Sequence, residues 1–282
     1  MLGPVDVGKT TTATAIANAA IRAGLRTAVV DADTGQSDIG PPTTVAVALP
    51  QYPARQMDHW QAVSAFFVGD TTPQAVYPYL VEGTARALEL ARARRAEMIV
   101  VDTTGWVEGV AAVAAKVRKL RRVAPRHVVA LQRHGEVEPI LERLPAQFTV
   151  HRLRPAPQVR SRSPEVRRAI RAARFRRYFA AGRPHTLTLD AVPQTRPPVY
   201  AGQEVPQDRV LRDIPAAELL HVLVGLVEDD GWLRAVGTIV ATAPDQDTVT
   251  VLAPAASLAG VAALQWGILR VAPSGEEEGR LR

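Results

Sequence analysis

Through the first two thirds of the chain, short continuous apolar runs alternate with longer segments in which apolar residues recur every three or four positions. TTTATAIANAAIRAG, residues 10–24, is alanine-rich and ends on Gly24, which predicts a helix stopped by its glycine. TAVVDAD then predicts a buried strand that finishes in carboxylates. The alternation continues with AVSAFFVG at 62–69, a helix from about Pro78 to Arg95, the strand MIVVD at 98–102 and a helix near 109–122. HVVAL at 127–131, a short helix, FTVHRL at 148–153 and a strongly basic helix from about Ser163 to Ala181 complete the series. Apolar strands separated by helices predict an α/β fold, an open parallel sheet with helices on both faces.

After about Gly182 the texture changes. Prolines stand at 184, 193, 197, 198, 206 and 215, and then come LLHVLVGLV, WLRAVGTIVATA, DTVTVLA and ALQWGILRVA, with the turn signals EDDG and PDQD between some of them. These read as strands of a small C-terminal, mainly β domain, so that residues 1–183 form one domain and 184–282 another. The proline-rich 193–206 stretch is expected to be a linker or an irregular edge, and the closing GEEEGRLR a frayed tail.

With 282 residues and 47% hydrophobic content, the chain can bury a sizeable core. No apolar run is long enough for a membrane span and the start lacks a signal-peptide pattern, so the expectation is a soluble cytoplasmic protein without a membrane partner. The absence of cysteine excludes disulfides, thiolate metal sites and cysteine nucleophiles. The formal charge of +6 is unevenly spread: residues 152–177 hold ten arginines against one glutamate. Such local basicity suits a polyanionic partner, or a solvated arginine-rich helix. Lysine is nearly absent, occurring only at positions 9, 116 and 119, which singles out Lys9.

GPVDVGKTT fits G-x-x-x-x-G-K-[ST] and runs straight into a helix, as a phosphate-binding loop requires. Gly3, Pro4, Val5, Asp6, Val7, Gly8, Lys9, Thr10 and Thr11 are therefore the candidate ATP-binding segment. Its backbone N–H groups face the phosphates, Lys9 bridges the β and γ phosphates, and the Thr10 hydroxyl ligates Mg²⁺. The fold is then expected to be a P-loop NTPase sheet. Only Met1 and Leu2 precede the loop, so its launching strand is expected to be missing or cut short. Asp31 and Asp33 end the strand after the first helix, at the sheet edge where ligands bind. A carboxylate there can hold Mg²⁺ or deprotonate an attacking hydroxyl, and Asp102, at the end of MIVVD, is a second candidate metal ligand.

Taken together, GPVDVGKTT, DADTGQSDIGPPTT at 31–44, DTTGW at 102–106 and the arginine-rich helix resemble the polynucleotide 5′-hydroxyl kinases of RNA processing. That family includes the cleavage-factor kinase subunit of mRNA 3′-end formation, the pre-ribosomal RNA processing kinase and compact archaeal enzymes. The resemblance covers roughly residues 3–182 and, more weakly, the β-rich remainder. It implies that Asp33 activates the 5′-hydroxyl and contacts Mg²⁺, that Gln36 lies beside it, and that Thr103, Thr104, Gly105 and Trp106 form a clasp on the P-loop and the RNA end. It also implies that Arg167 and Arg171 form a lid over the triphosphate. Independently, their i, i+4 spacing puts them on one helix face, with Arg174 a further turn on, while Arg168, Arg176 and Arg177 point elsewhere, toward a nucleic-acid backbone. Trp60, Tyr77, Trp106 and Phe175 are candidates for stacking a terminal base, each with a core role as the alternative.

The expected function is transfer of the γ-phosphate of ATP to the 5′-hydroxyl end of RNA or DNA, with Mg²⁺. The alternatives are a nucleotide-bound assembly protein of the same fold, or a P-loop ATPase or GTPase of partitioning or metallochaperone type. The sequence names no protein partner.

Overall fold

The computed structural model describes residues 1–199, 210–243, 245 and 247–281. The first layers are built from α1 (Lys9–Arg22), β1 (Thr27–Ala32), β2 (Thr44–Ala48), β3 (Ser64–Phe67), α2 (Pro73–Ala93), β4 (Met98–Thr103), α3 (Val110–Val123), β5 (His127–Leu131), α4 (Glu138–Leu141) and β6 (Thr149–Leu153). β1 and β4 pair in parallel with Asp31 opposite Asp102, and β5 pairs in parallel with β6. Met1 and Leu2 occupy the position between these pairs. The Met1 ammonium donates to Val101 O at 2.7 Å, Leu2 N donates to Val129 O and Leu131 N to Leu2 O, each at 2.8 Å. Where a full launching strand would lie, these two residues and a single bridge from Leu2 to Ala130 join the sheet.

Burial on both faces explains why β1 reads as a nearly unbroken apolar run. Successive side chains of a strand point to opposite faces, so Val29 packs with Ala13 and Ala17 of α1, while Val30 and Ala32 pack with Leu80 and Ala87 of α2. The alanines let α1 lie close to the sheet, which carries its N-terminus up to the strand ends. One edge departs from the expected parallel sheet. β2 runs antiparallel to β1, and β3 antiparallel to β2. No helix separates β1 from β2, and a parallel neighbour would need such a crossover. The TVAVA segment of β2, short and just behind Pro41 and Pro42, was not among the expected strands. α2 also starts earlier than expected, at Pro73, and is broken at Val76 (φ −127°) two residues before Pro78, because proline removes a backbone donor and crowds the preceding turn.

Next in the chain come α5 (Pro164–Phe179), β7 (Arg183–Thr188), β8 (Gln194–Thr195), α6 (Ala216–Leu219), β9 (Val222–Glu228), β10 (Leu233–Ala243), β11 (Thr248–Ala253), β12 (Val261–Val271) and β13 (Glu277–Arg280). The second sheet runs β13-β12-β9-β10-β11-β7, antiparallel throughout, with β8 joined in parallel to β12. Part of the expected linker is thus strand β8, and its residues 200–206 lie outside the described ones. The expected frayed tail is corrected: Glu277–Arg280 is an edge strand, and Arg280 donates Nε and Nη2 to Asp70 at 2.6 and 2.9 Å. The patterning hid this because EEEG carries no apolar alternation.

The two sheets meet closely. Ile268 N and Leu269 N both donate to Gly69 O, and a Cβ on Gly267 would lie 2.4 Å from that oxygen, so only glycine fits. α5 spans the junction. Phe175 and Phe179 pack with Leu223, Val236, Leu269 and Val271 of the second sheet, which turns the arginine-bearing side of the helix toward the P-loop.

Candidate active site

The loop between Leu2 and α1 is shaped by its glycines. Gly8 has φ +87°, left-handed and hence cheap only for glycine, and is the N-cap of α1, whose first-turn N–H groups receive no side-chain cap. A Cβ on Gly3 would lie 2.4 Å from Leu131 O. Lys9 is buried and its Nζ donates to Pro4 O at 2.6 Å, holding the ammonium inside the loop. Thr10 donates its hydroxyl to Asp102 Oδ2 at 2.5 Å, and Asp102 Oδ1 accepts from Thr103 N at 2.9 Å. Thr10, Asp33 and Asp102 supply only oxygen ligands, the chemistry Mg²⁺ prefers, and two carboxylates plus phosphate oxygens and water suffice for it. No cluster of three or more acidic or histidine residues able to hold a metal by itself occurs among the described residues.

A cleft of about 620 Å³ opens beside this loop. Val5, Asp6, Gly8, Lys9, Thr10 and Thr11 form one wall, Asp33, Gln36 and Asp38 another, and Arg167 and Arg174 close it from α5. Gly3, Pro4 and Val7 belong to the loop but do not line the cleft: Leu131 O blocks Gly3, Pro4 serves through its carbonyl and Val7 is buried.

The two strand-end aspartates differ in situation. Asp31 is buried and accepts from Asp33 N, Asp38 N and Ile39 N at 3.1, 2.6 and 2.9 Å, so it braces the 33–39 loop. Burial, and then the charges of Asp38 and Asp102, push its carboxyl well above the usual range. Asp33 is half-buried, accepts from Gly35 N at 3.2 Å and faces the cleft. Gln36 donates to Gly35 O at 2.8 Å, leaving its buried side-chain carbonyl oxygen without a partner among the described residues. Burial also raises the Asp102 carboxyl, helped by Asp33 and opposed by Lys9.

The helix places the arginines unlike the expectation in one respect. Arg167 donates to Asp6 Oδ2 at 3.0 Å and Arg174 pairs with Asp38, both inside the cleft. Arg174 Nη1 is buried with no hydrogen-bond partner among the described residues. Arg171 instead pairs with Glu277 and does not line the cleft. At about 100° per residue, positions seven apart differ by only about 20°, whereas position 171 lies about 60° from 174, toward the second sheet. Asp38 was not expected, although its place in DADTGQSDIG was visible. Arg168, Arg176 and Arg177 are exposed.

The clasp residues meet the P-loop directly. A Cβ on Gly105 would lie 2.6 Å from Val5 N and 2.7 Å from Val5 Cα. Thr103 donates to Met1 O at 2.8 Å, and Trp106 packs edge-on to Tyr77 with ring centroids 6.3 Å apart. Behind the clasp stands buried Lys116, a functional candidate that the sequence reading passed over. Its signal was the rarity of lysine: all three lysines are buried. Of the stacking candidates, Trp60, Tyr77 and Phe175 are core residues and Trp106 is half-buried.

The family model described as mRNA cleavage and polyadenylation factor CLP1 P-loop matches residues 3–181. A polyribonucleotide 5′-hydroxyl-kinase of Pyrococcus abyssi is 27% identical, with 100% of this chain and 89% of the relative covered. That of Methanocaldococcus jannaschii is 26% identical with the same coverage. The polyribonucleotide 5′-hydroxyl-kinase Clp1 of Xenopus tropicalis is 28% identical over 90% of this chain and 66% of its own length. A solved wild-type Clp1p–Pcf11p complex shares the fold, with a TM-score of 0.69 at 13% identity, covering 95% of this chain and 73% of Clp1p.

Proposed function

The chain belongs to the CLP1 P-loop family, and from that premise we propose that it is an ATP-dependent polynucleotide 5′-hydroxyl kinase, with an RNA or DNA end as acceptor. One observation carries the site assignment: Asp33 on one wall and Arg167 and Arg174 on the other face the same cleft beside Lys9 and Thr10. The loop N–H groups and Lys9 bind the triphosphate, and the two arginines face the charge that spreads over the transferring oxygens. Asp33 accepts the proton of the attacking 5′-hydroxyl. The oxygen of that hydroxyl forms its bond to the γ-phosphorus as the bond to the β–γ bridging oxygen breaks, releasing ADP. Thr10, Asp33 and Asp102 would hold Mg²⁺, which neutralises phosphate charge when bound.

The cleft favours transfer over an assembly role because it brings a half-buried carboxylate and two guanidinium groups onto the phosphate site, which nucleotide retention alone does not need. The test is transfer of labelled γ-phosphate from ATP to 5′-hydroxyl oligoribonucleotides and oligodeoxyribonucleotides, wild type beside Lys9→Ala. Labelling by wild type alone supports the reading. Nucleotide binding without any labelling would sink it in favour of the assembly protein.

A further inference from the structure

Resting on that kinase reading, we infer that Lys116 is a positioning residue for phosphoryl transfer, which sets the clasp and the end of β4 against the P-loop. Its ammonium, 4% exposed, donates to Thr104 O at 2.6 Å, Thr104 Oγ1 at 3.1 Å and Thr103 Oγ1 at 3.2 Å. Three donors thus meet three acceptors, all on the two residues that separate Asp102 from Gly105.

From those two residues the contacts run in both directions. Thr103 N holds Asp102 Oδ1, and Asp102 Oδ2 receives the Thr10 hydroxyl. On the other side, Gly105 lies so close to Val5 that no Cβ fits between them. The height of Thr103–Thr104 therefore fixes both the Thr10–Asp102 contact and the course of the loop backbone at Val5. Lys116 does not line the cleft, so it acts through these residues and touches no substrate.

Lysine is suited to this task where arginine is not. A compact ammonium can point three donors at a converging set of acceptors, whereas a planar guanidinium needs a fork-shaped partner. In a chain that uses arginine nearly everywhere else, lysine is placed at this buried point of convergence. Burial, and then the charges of Lys119 and Lys9, push the Lys116 amine well below the usual lysine range, against the pull of Asp33 and Asp102.

Because the chain contains no cysteine, Lys116→Cys creates a single thiol. Alkylating it in denaturant with 2-bromoethylamine gives a lysine-like ammonium on a thioether. Alkylating it with 1-bromopropane gives a neutral group of the same shape. After refolding, the propyl form is expected to lose about 10- to 100-fold in kcat and about tenfold in ADP affinity, as when residues supporting a site's ligands are removed. Its KM for the oligonucleotide should stay within about twofold, since Lys116 lies away from the cleft. The aminoethyl form should return both losses to within about threefold of wild type.

Equal kcat and equal ADP affinity in the propyl and aminoethyl forms would overturn the inference. Lys116→Met, expressed without refolding, is the second variant, and wild-type kcat there would overturn it equally. If wild type binds ADP but labels no oligonucleotide, the kinase reading falls; the ADP affinities of the two alkylated forms then still decide whether Lys116 positions the loop.

Discussion

Arg171 donates Nε and Nη2 to the two carboxylate oxygens of Glu277 at 2.5 and 3.0 Å, so an arginine of the helix that closes the cleft is bound to the last strand of the second sheet. Gly275 reinforces the contact, for a Cβ there would lie 2.1 Å from Ala172 O of the same helix. The second sheet thus holds α5 in place through backbone, apolar side chains and one bidentate ion pair. Arg171 serves as a strut, while Arg167 and Arg174 face the cleft.

That division predicts separable phenotypes. Both partners of the Arg171–Glu277 pair are largely buried, so Arg171→Ala is expected to cost about 2–3 kcal/mol of stability. Its kcat at a temperature where it stays folded should remain within about threefold. Arg174→Ala should behave oppositely, losing about 10- to 1,000-fold in kcat with a smaller stability change. Chemical denaturation beside labelled-phosphate transfer checks both, and a larger kcat loss for Arg171→Ala would return that residue to the lid.

The two aspartates of DAD should part in the same way. Asp33→Asn keeps the size of the side chain and is expected to bind nucleotide normally while losing about 100-fold or more in transfer. Asp31→Asn sets an amide N–H₂ among three backbone donors, and should cost about 1–3 kcal/mol of stability before any effect on chemistry. Transfer by Asp33→Asn at the wild-type rate would remove Asp33 as the base.

Gly105→Ala tests the clasp without touching a charged group. The added methyl meets Val5 backbone, which cannot swing away as a side-chain tip could, so the P-loop must shift. ADP affinity is expected to fall about tenfold or more, with a stability cost of about 1–3 kcal/mol. Unchanged affinity would show that the loop tolerates movement at Val5.

Much of this site was legible in the sequence because it is written in local motifs. The P-loop, the DAD strand end and DTTGW each fix a backbone shape by residues adjacent in the chain. What escaped depends on contacts distant in sequence. β2 was missed since its orientation follows from a hairpin, and β13 since an edge strand held by Arg171 and Asp70 needs no apolar alternation. Helical spacing grouped Arg167, Arg171 and Arg174, but which of them faces the cleft and which meets Glu277 depends on where the second sheet docks. Lys116 was visible only as a compositional oddity until α3 brought it beneath Thr103 and Thr104.

Lys119 offers a prediction about pH. Its Nζ is buried and has no hydrogen-bond partner among the described residues, and burial lowers its pKa from 10.5 to about 8, against the pull of Asp33, Asp102 and Asp31. Between those two values the unfolded chain holds the proton more tightly than the folded one, so this group makes stability rise with pH across the window from about 8 to 10.5. Below about 8 the folded protein carries the full cost of a charged, unpartnered ammonium. Lys119→Met removes that cost and keeps the packing volume, so at pH 7 the variant is expected to melt about 2–6 °C above wild type. The gap should narrow as pH is raised and close near 10.5, where the lysine is neutral in both states. Melting curves of the two proteins from pH 6 to 10.5 give the comparison. A variant that melts below wild type at pH 7 would mean that the Lys119 ammonium is held by attraction to the carboxylates of the site, strongly enough to outweigh its desolvation.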